Sequence, residues 1–167
     1  MKLRLLALPL LCFLPFLLTS CETTSSSGYG YYMGELTDDT IVEFFALSDD
    51  AAKRQDYEFY KSFFSPNYSS VDRTDYSSTT TYREDYLTMV NEIFESAKSV
   101  HLQTMVMDIE YSNYGHNALV KIHEEEKIDQ YGQTRHYISL LDVELEIEDG
   151  WVFINKTTRT SMQTIEE

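Results

Sequence analysis

His136-Tyr137-Ile138-Ser139-Leu140-Leu141-Asp142-Val143-Glu144-Leu145-Glu146-Ile147-Glu148-Asp149-Gly150-Trp151-Val152 is the stretch that decides the fold. From Leu141 onward apolar and acidic residues alternate one for one, with Leu141, Val143, Leu145 and Ile147 set against Asp142, Glu144, Glu146 and Glu148. Successive side chains of a strand point to opposite faces, so this is a strand with one core face and one solvent face. A one-residue slip would drive four carboxylates into the core, which fixes the register. Asp149-Gly150 then signals a tight hairpin. Upstream, Tyr131-Gly132 and Tyr114-Gly115 repeat a weaker form of that signal, at intervals of 18 and then 17 residues. The glycines divide the C-terminal half into four alternating segments, 101–111, 118–128, 136–147 and 151–158. Equal spacing with tight turns predicts an antiparallel meander.

Ahead of the meander the period changes from two to that of a helix. Thr40-Ile41-Val42-Glu43 reads as a capping box, in which threonine and glutamate satisfy each other's backbone amides. Ile41, Phe44, Phe45, Leu47 and Ala51 follow at helical spacing. Asp56 is placed to cap a second, short helix carrying Tyr57, Tyr60, Phe63 and Phe64, which Pro66 stops. Residues 67–80 are polar, with a short strand at 68–72. Thr81-Tyr82-Arg83-Glu84 reads as another capping box, opening a helix with Tyr86, Leu87, Val90, Ile93, Phe94 and Ala97 on one side. About three N-terminal helices thus pack on one face of a curved antiparallel meander sheet, an α+β layer pair.

This order, with Phe63-Phe64-Ser65-Pro66-Asn67-Tyr68, Arg83-Glu84-Asp85-Tyr86-Leu87 and Asp149-Gly150-Trp151-Val152 in place, resembles the cystatin-like, nuclear transport factor 2-like superfamily. That superfamily includes ketosteroid isomerase and the SnoaL-like polyketide cyclases. The resemblance covers roughly residues 38–160 and implies a sheet curved around helices to form a conical pocket. It rests on element order and not on an active-site signature. It therefore speaks to fold more than to activity.

The N-terminus carries an address. Met1-Lys2-Leu3-Arg4 is a short cationic start, and residues 5–18 are almost wholly apolar, interrupted by Pro9 and Pro15. That run is too short to span ~30 Å of hydrocarbon and has the shape of a secretory signal. It ends in Leu18-Thr19-Ser20-Cys21, which resembles the bacterial lipobox. The resemblance implies cleavage before Cys21, acylation of its sulfur and amine, and a membrane partner reached through those acyl chains. Glu22 in place of aspartate implies the outer membrane, periplasmic side. Residues 1–20 are thus expected to be a signal peptide, 21–36 a lipidated cysteine and flexible tether reaching ~20 Å, and 37–167 the domain.

Composition narrows the function classes. The 167 residues hold 28 acidic and 13 basic side chains, a formal charge of −15 that becomes −17 once Lys2 and Arg4 leave with the signal. Nucleic-acid binders carry the opposite sign, so no nucleic-acid partner is expected. The cysteines are Cys12 and Cys21, both ahead of the domain. Disulfide scaffolds, zinc fingers and cysteine nucleophiles are excluded there.

Candidate chemistry is sparse. The isomerases of the superfamily place their general base at the position that Asp72 occupies, and a pocket carboxylate shuttles protons once apolar neighbours raise its pKa. The plainer reading makes Asp72 a loop residue, solvated or paired with Arg73 or Arg83. The resemblance also implies a first-helix tyrosine as oxyanion donor, but the matching region near Ser48 has none. The inward acid that SnoaL-like members carry before the last hairpin is Val143 here. His101, His116, His123 and His136 fall 15, 7 and 13 residues apart, which is no metal-ligand spacing, so no metal and no cofactor is expected. In His123-Glu124-Glu125-Glu126, Glu124 and Glu126 share parity with Val120 and Ile122, which directs one of them to a pocket rim. Tyr57, Tyr60 and Tyr86 are core residues by default, whose hydroxyls are candidates to line a cavity with Glu124. The expectation is a lipid-anchored, non-enzymatic domain binding a small molecule or envelope protein. The alternatives are an isomerase, dehydratase or cyclase using Asp72, and a module that assembles as a homodimer.

Overall fold

The computed structural model describes residues 31–32, 35–73 and 77–165. The signal segment, Cys21 and residues 22–30 of the tether lie outside the described residues. Inside the expected tether, β1 (Tyr31–Tyr32) pairs antiparallel with Val152 and Trp151, and Leu36 is buried with its N–H donating to the Gly115 carbonyl at 3.1 Å.

The meander is present in the expected order: β4 (Ala97–Ser112), β5 (Asn117–Gln130), β6 (Gln133–Glu148) and β7 (Trp151–Ile165), each antiparallel to the next. Tyr131-Gly132 and Asp149-Gly150 close two of the hairpins with all four residues at positive φ, between 52° and 80°. That is the two-residue turn whose twist matches the flanking strands. Leu141, Val143 and Leu145 are buried as expected, while Ile147 is half-buried. Glu144 and Glu148 are exposed, but Asp142 and Glu146 are half-buried, and Glu146 accepts from the Asn155 side chain.

Two further strands extend the sheet to the order β3-β2-β7-β6-β5-β4, with β2 (Phe64–Arg73) parallel to β7 and β3 (Ser78–Tyr82) antiparallel to β2. The strand expected at 68–72 is therefore longer. Pro66 does not stop a helix; it lies inside β2, between Phe64 and Ser69, where the pairing with β7 shifts register. A bulge is where a strand tolerates a residue without an N–H. The sheet is curved, mixed and not closed into a barrel.

Three helices cover one face: α1 (Asp38–Lys53), α2 (Tyr57–Lys61) and α3 (Arg83–Ser96). The cap of α1 is Thr37 and not Thr40: the Thr40 N–H donates to Thr37 Oγ1 at 3.3 Å, and the Thr37 N–H donates to Thr40 Oγ1 at 2.8 Å. Starting one turn earlier puts Asp38 and Asp39 in the first turn, against the positive end of the helix dipole. Asp56 caps α2 as expected, accepting from the Phe59 N–H at 3.1 Å. The expected capping box of α3 does not form, because Thr81 and Tyr82 are held in β3 opposite Ser70 and Ser69. Between α1 and α2, Gln55 takes φ 55° and closes the helix end, and its Nε2 donates to the Phe94 and Ala97 carbonyls at 2.7 and 3.0 Å. That contact ties the end of α3 to the end of α1.

The core between helices and sheet is aromatic. Phe44 packs on Phe63 with ring centroids 5.2 Å apart, and Phe64 stacks against Tyr68 and Tyr86 at 4.7 and 5.3 Å. This cluster fills the narrow end of the cone.

Candidate functional site

The wide end is not filled. A cavity of about 460 Å³ opens between α3 and the concave face of β4–β7, and narrows into a recess of about 60 Å³ against the aromatic core. Tyr60, Tyr86, Leu102, Glu124 and Arg159 belong to both spaces, so they form the neck. Val90, Ile93, Phe94, Val100 and Ile128 make the outer wall apolar, with Met89 and Met162 at its edge.

Glu124 and Glu126 enter the cavity because β5 keeps its alternation: Ala118, Val120 and Ile122 are buried on the same face, as is Ile128 beyond them. Two residues apart on one strand face, the two glutamates have Cα atoms ~7 Å from each other. Among the described residues neither has a hydrogen-bond or ion-pair partner. The protein around Glu124 desolvates it, and with the charge of Glu126 it pushes the carboxyl up to about 8 against the smaller opposing effect of Arg159. Glu126 is raised as well, again by burial first.

The neighbours are polar but occupied. Tyr60 and Tyr86 face each other across 3.5 Å between hydroxyls, and Tyr68 shares a hydrogen bond with Thr157 Oγ1 at 2.8 Å. Burial raises all three phenols, Tyr68 to about 12, so each stays a protonated donor at neutral pH. Asp49 of α1 accepts from the Thr104 N–H and hydroxyl at 2.7 and 2.8 Å, and burial outweighs those bonds to raise its pKa.

The structure brings together three of the residues singled out in the sequence: Tyr60, Tyr86 and Glu124. Tyr57 stands apart, at the start of α2, with the Lys61 ammonium 5.3 Å above its ring. Asp72 does not line the cavity. Its side chain is 48% exposed on β2, and its Oδ1 lies 3.1 Å from a guanidinium nitrogen of Arg159, not of Arg73 or Arg83. The pairing follows from register, since Asp72 sits opposite Arg159 in the β2–β7 ladder. Ser48 and Val143, the positions lacking the tyrosine and the acid, both reach the recess. His136 lies on the other face of the sheet, its Nε2 2.9 Å from Glu125 Oε1.

Arg159 and Arg135 are lining residues that the sequence did not single out, as is Asp49, which adjoins the recess through Thr104; of Glu124 and Glu126, one of which was expected at the rim, both enter the cavity. Parity on β5 placed Glu126 beside Glu124. Arg159 was hidden by a bulge: the β6–β7 register shifts at Asn155, so Thr157 and Arg159 face the cavity although Val152 and Ile154 set the opposite parity. Among the described residues no group of three or more metal-ligating side chains converges.

Neither a protein-family model nor a curated protein matches this chain. Solved structures do. A conserved protein from Planctomyces limnophilus superposes with TM-score 0.64 at 11% identity, over 75% of this chain and 94% of that one. The hexachlorocyclohexane dehydrochlorinase LinA type 2 gives TM-score 0.59 at 10% identity, over 76% and 87%. A cystatin-like domain from Nostoc punctiforme gives TM-score 0.54 at 18% identity, over 73% and 75%. At such identities the likeness is one of fold: this chain has the cystatin-like, nuclear transport factor 2-like fold.

Proposed function

We propose that the domain binds a small, largely apolar molecule in its conical cavity, and that acyl chains on Cys21 hold it at the cell envelope. The cavity carries the binding reading. Its volume of about 460 Å³ falls within the ~300–1,000 Å³ of small-molecule sites. Its wall is apolar and aromatic with a few converging polar groups, which is how such sites combine affinity with orientation. The anchoring reading rests on Leu18-Thr19-Ser20-Cys21 after a short apolar leader, and Glu22 favours the outer membrane, periplasmic side. More than one acyl chain is needed for stable attachment.

The methionines give the binding test. Met89 and Met162 line the cavity at its open edge, whereas Met105 and Met107, comparably exposed, lie on β4 outside its wall. Titrating the full chain with the neutral alcohol 2-methyl-1-phenylpropan-2-ol should shift the methyl resonances of Met89 and Met162 and spare those of Met105 and Met107. No shift at Met89 and Met162 up to tens of millimolar probe would refute the pocket reading.

One observation favours a second reading, proton-transfer catalysis. Glu124, its carboxyl pushed up to about 8 with the phenols Tyr60 and Tyr86 around it, has the properties of a pocket general base that Asp72 lacks. The dehydrochlorinase among the structural neighbours supports an enzymatic use of this fold, though not of this site.

A further inference from the structure

The carboxyl pair in the wall has no counter-charge of its own. Arg159, the guanidinium at the neck, is paired with Asp72. Arg135 lines the outer cavity but is exposed to solvent. Counted by formal charge, and including Asp49 and Asp72, which adjoin this space without lining it, acids outnumber the two arginines four to two. A buried carboxylate without a partner is costly, and protonation is the cheapest relief when nothing else is bound. A ligand that brings one positive charge offers a better one. The wall suits an organic cation more than a hydrated metal ion: the rings of Tyr60, Tyr86 and Phe94 border the cavity, and a cation over an aromatic face is attracted by its quadrupole. Met89 and Met162 at the edge add adaptable apolar contact.

We infer that the cavity takes an organic monocation with an apolar or aromatic body, with Glu124 as its counter-ion and Glu126 beside it. The inference rests on the pocket reading above and names the class of its ligand. Binding exchanges one proton for the ligand's charge: the Glu124 carboxylic acid plus the cation gives the carboxylate–cation pair and a released proton. Affinity for a cation of fixed charge therefore rises with pH while Glu124 is protonated in the free protein, and levels off above about 8.

The groups facing Glu124 are Glu126 on its own strand, Asp49 from α1, the phenols Tyr60, Tyr68 and Tyr86 from α2, β2 and α3, and Arg159 from β7. Tyr137 and Arg135 of β6 line the outer cavity. The three facing phenols are held protonated, and guanidinium charges do not titrate near neutrality. His101 of β4 faces Asp49, and its contribution is common to the wild type and to Glu124→Gln.

The test compares benzyltrimethylammonium with its neutral isostere 2-methyl-1-phenylpropan-2-ol on the full chain, reading the Met89 and Met162 methyls from pH 6 to 9. The expected result is tighter binding of the cation, strengthening by up to about tenfold per pH unit below about 8 and flat above it. The isostere should bind with no pH dependence, and Glu124→Gln should remove both the preference and the slope for the cation. If the isostere binds and the cation does so no better, or if the slope survives Glu124→Gln, the cation inference is overturned while the pocket reading stands. If neither probe shifts Met89 or Met162, both fall.

Discussion

Replacing Glu124 with glutamine should make the domain more stable at alkaline pH, an unusual outcome for a buried polar substitution. The carboxyl goes from 4.5 in the unfolded chain to about 8 in the folded one. Between those values the folded state holds a proton that the unfolded state has lost, so its stabilising effect is complete below 4.5 and is lost as pH rises through about 8. At about 1.4 kcal/mol per pH unit the gap sets a ceiling of ~5 kcal/mol. Contact with the open cavity and coupling to Glu126 reduce this, and a change of ~2 kcal/mol is expected between pH 5 and 8.5. Glutamine has nearly the shape of the protonated acid and does not titrate. Urea unfolding of the wild type and Glu124→Gln at pH 5, 6.5 and 8.5, followed by the single tryptophan, Trp151, measures the difference. The other titrating groups are common to both proteins and cancel to first order. The gap between the two proteins should change steadily in favour of the variant as pH rises. A pH-independent difference would refute the argument that Glu124 is held desolvated and without a partner.

Other outcomes test the remaining parts. Leu145 is 1% exposed, so Leu145→Asp should unfold the domain by circular dichroism, costing more than ~4 kcal/mol, whereas Glu144→Lys should lose at most ~1 kcal/mol with its exposed pair to Lys156. Comparable losses would overturn the assignment of the faces of β6. Asp72→Asn removes a half-exposed ion pair and should change neither stability nor binding of the neutral alcohol by more than ~1 kcal/mol, as read by urea unfolding and the methionine titration. Cys21→Ala should abolish metabolic palmitate labelling; unchanged labelling would exclude the lipid anchor.

The sequence carried the meander because alternation and paired glycines are local signals, and β4–β7 follow the segments they marked, with β4, β5 and β6 extended at both ends and β7 at its C-terminal end. Helix starts were less legible. Thr37 and Thr40 are both competent caps, and the choice depends on Leu36 docking against Gly115, a contact 79 residues away in sequence. Likewise Thr81 looked like a cap until β3 claimed it for pairing with β2. At the site, Glu124 was readable because β5 runs without a shift, so parity from Val120 carries through. Arg159 was not, because the bulge at Asn155 reverses parity before it. Nothing local to Asp72 showed that its partner would come from the last strand, since a parallel β2–β7 ladder joins residues 87 apart.

The most direct test of the account is the titration of Glu124 itself. With ¹³C at the glutamate Cδ and Glu124→Gln as the assignment control, the Glu124 resonance should stay that of a carboxylic acid through neutrality and move with a midpoint near 8. A midpoint near the ordinary 4.5 would contradict it, because the carboxyl would then be solvated or already paired, and the cavity would hold no unbalanced charge for a ligand to answer.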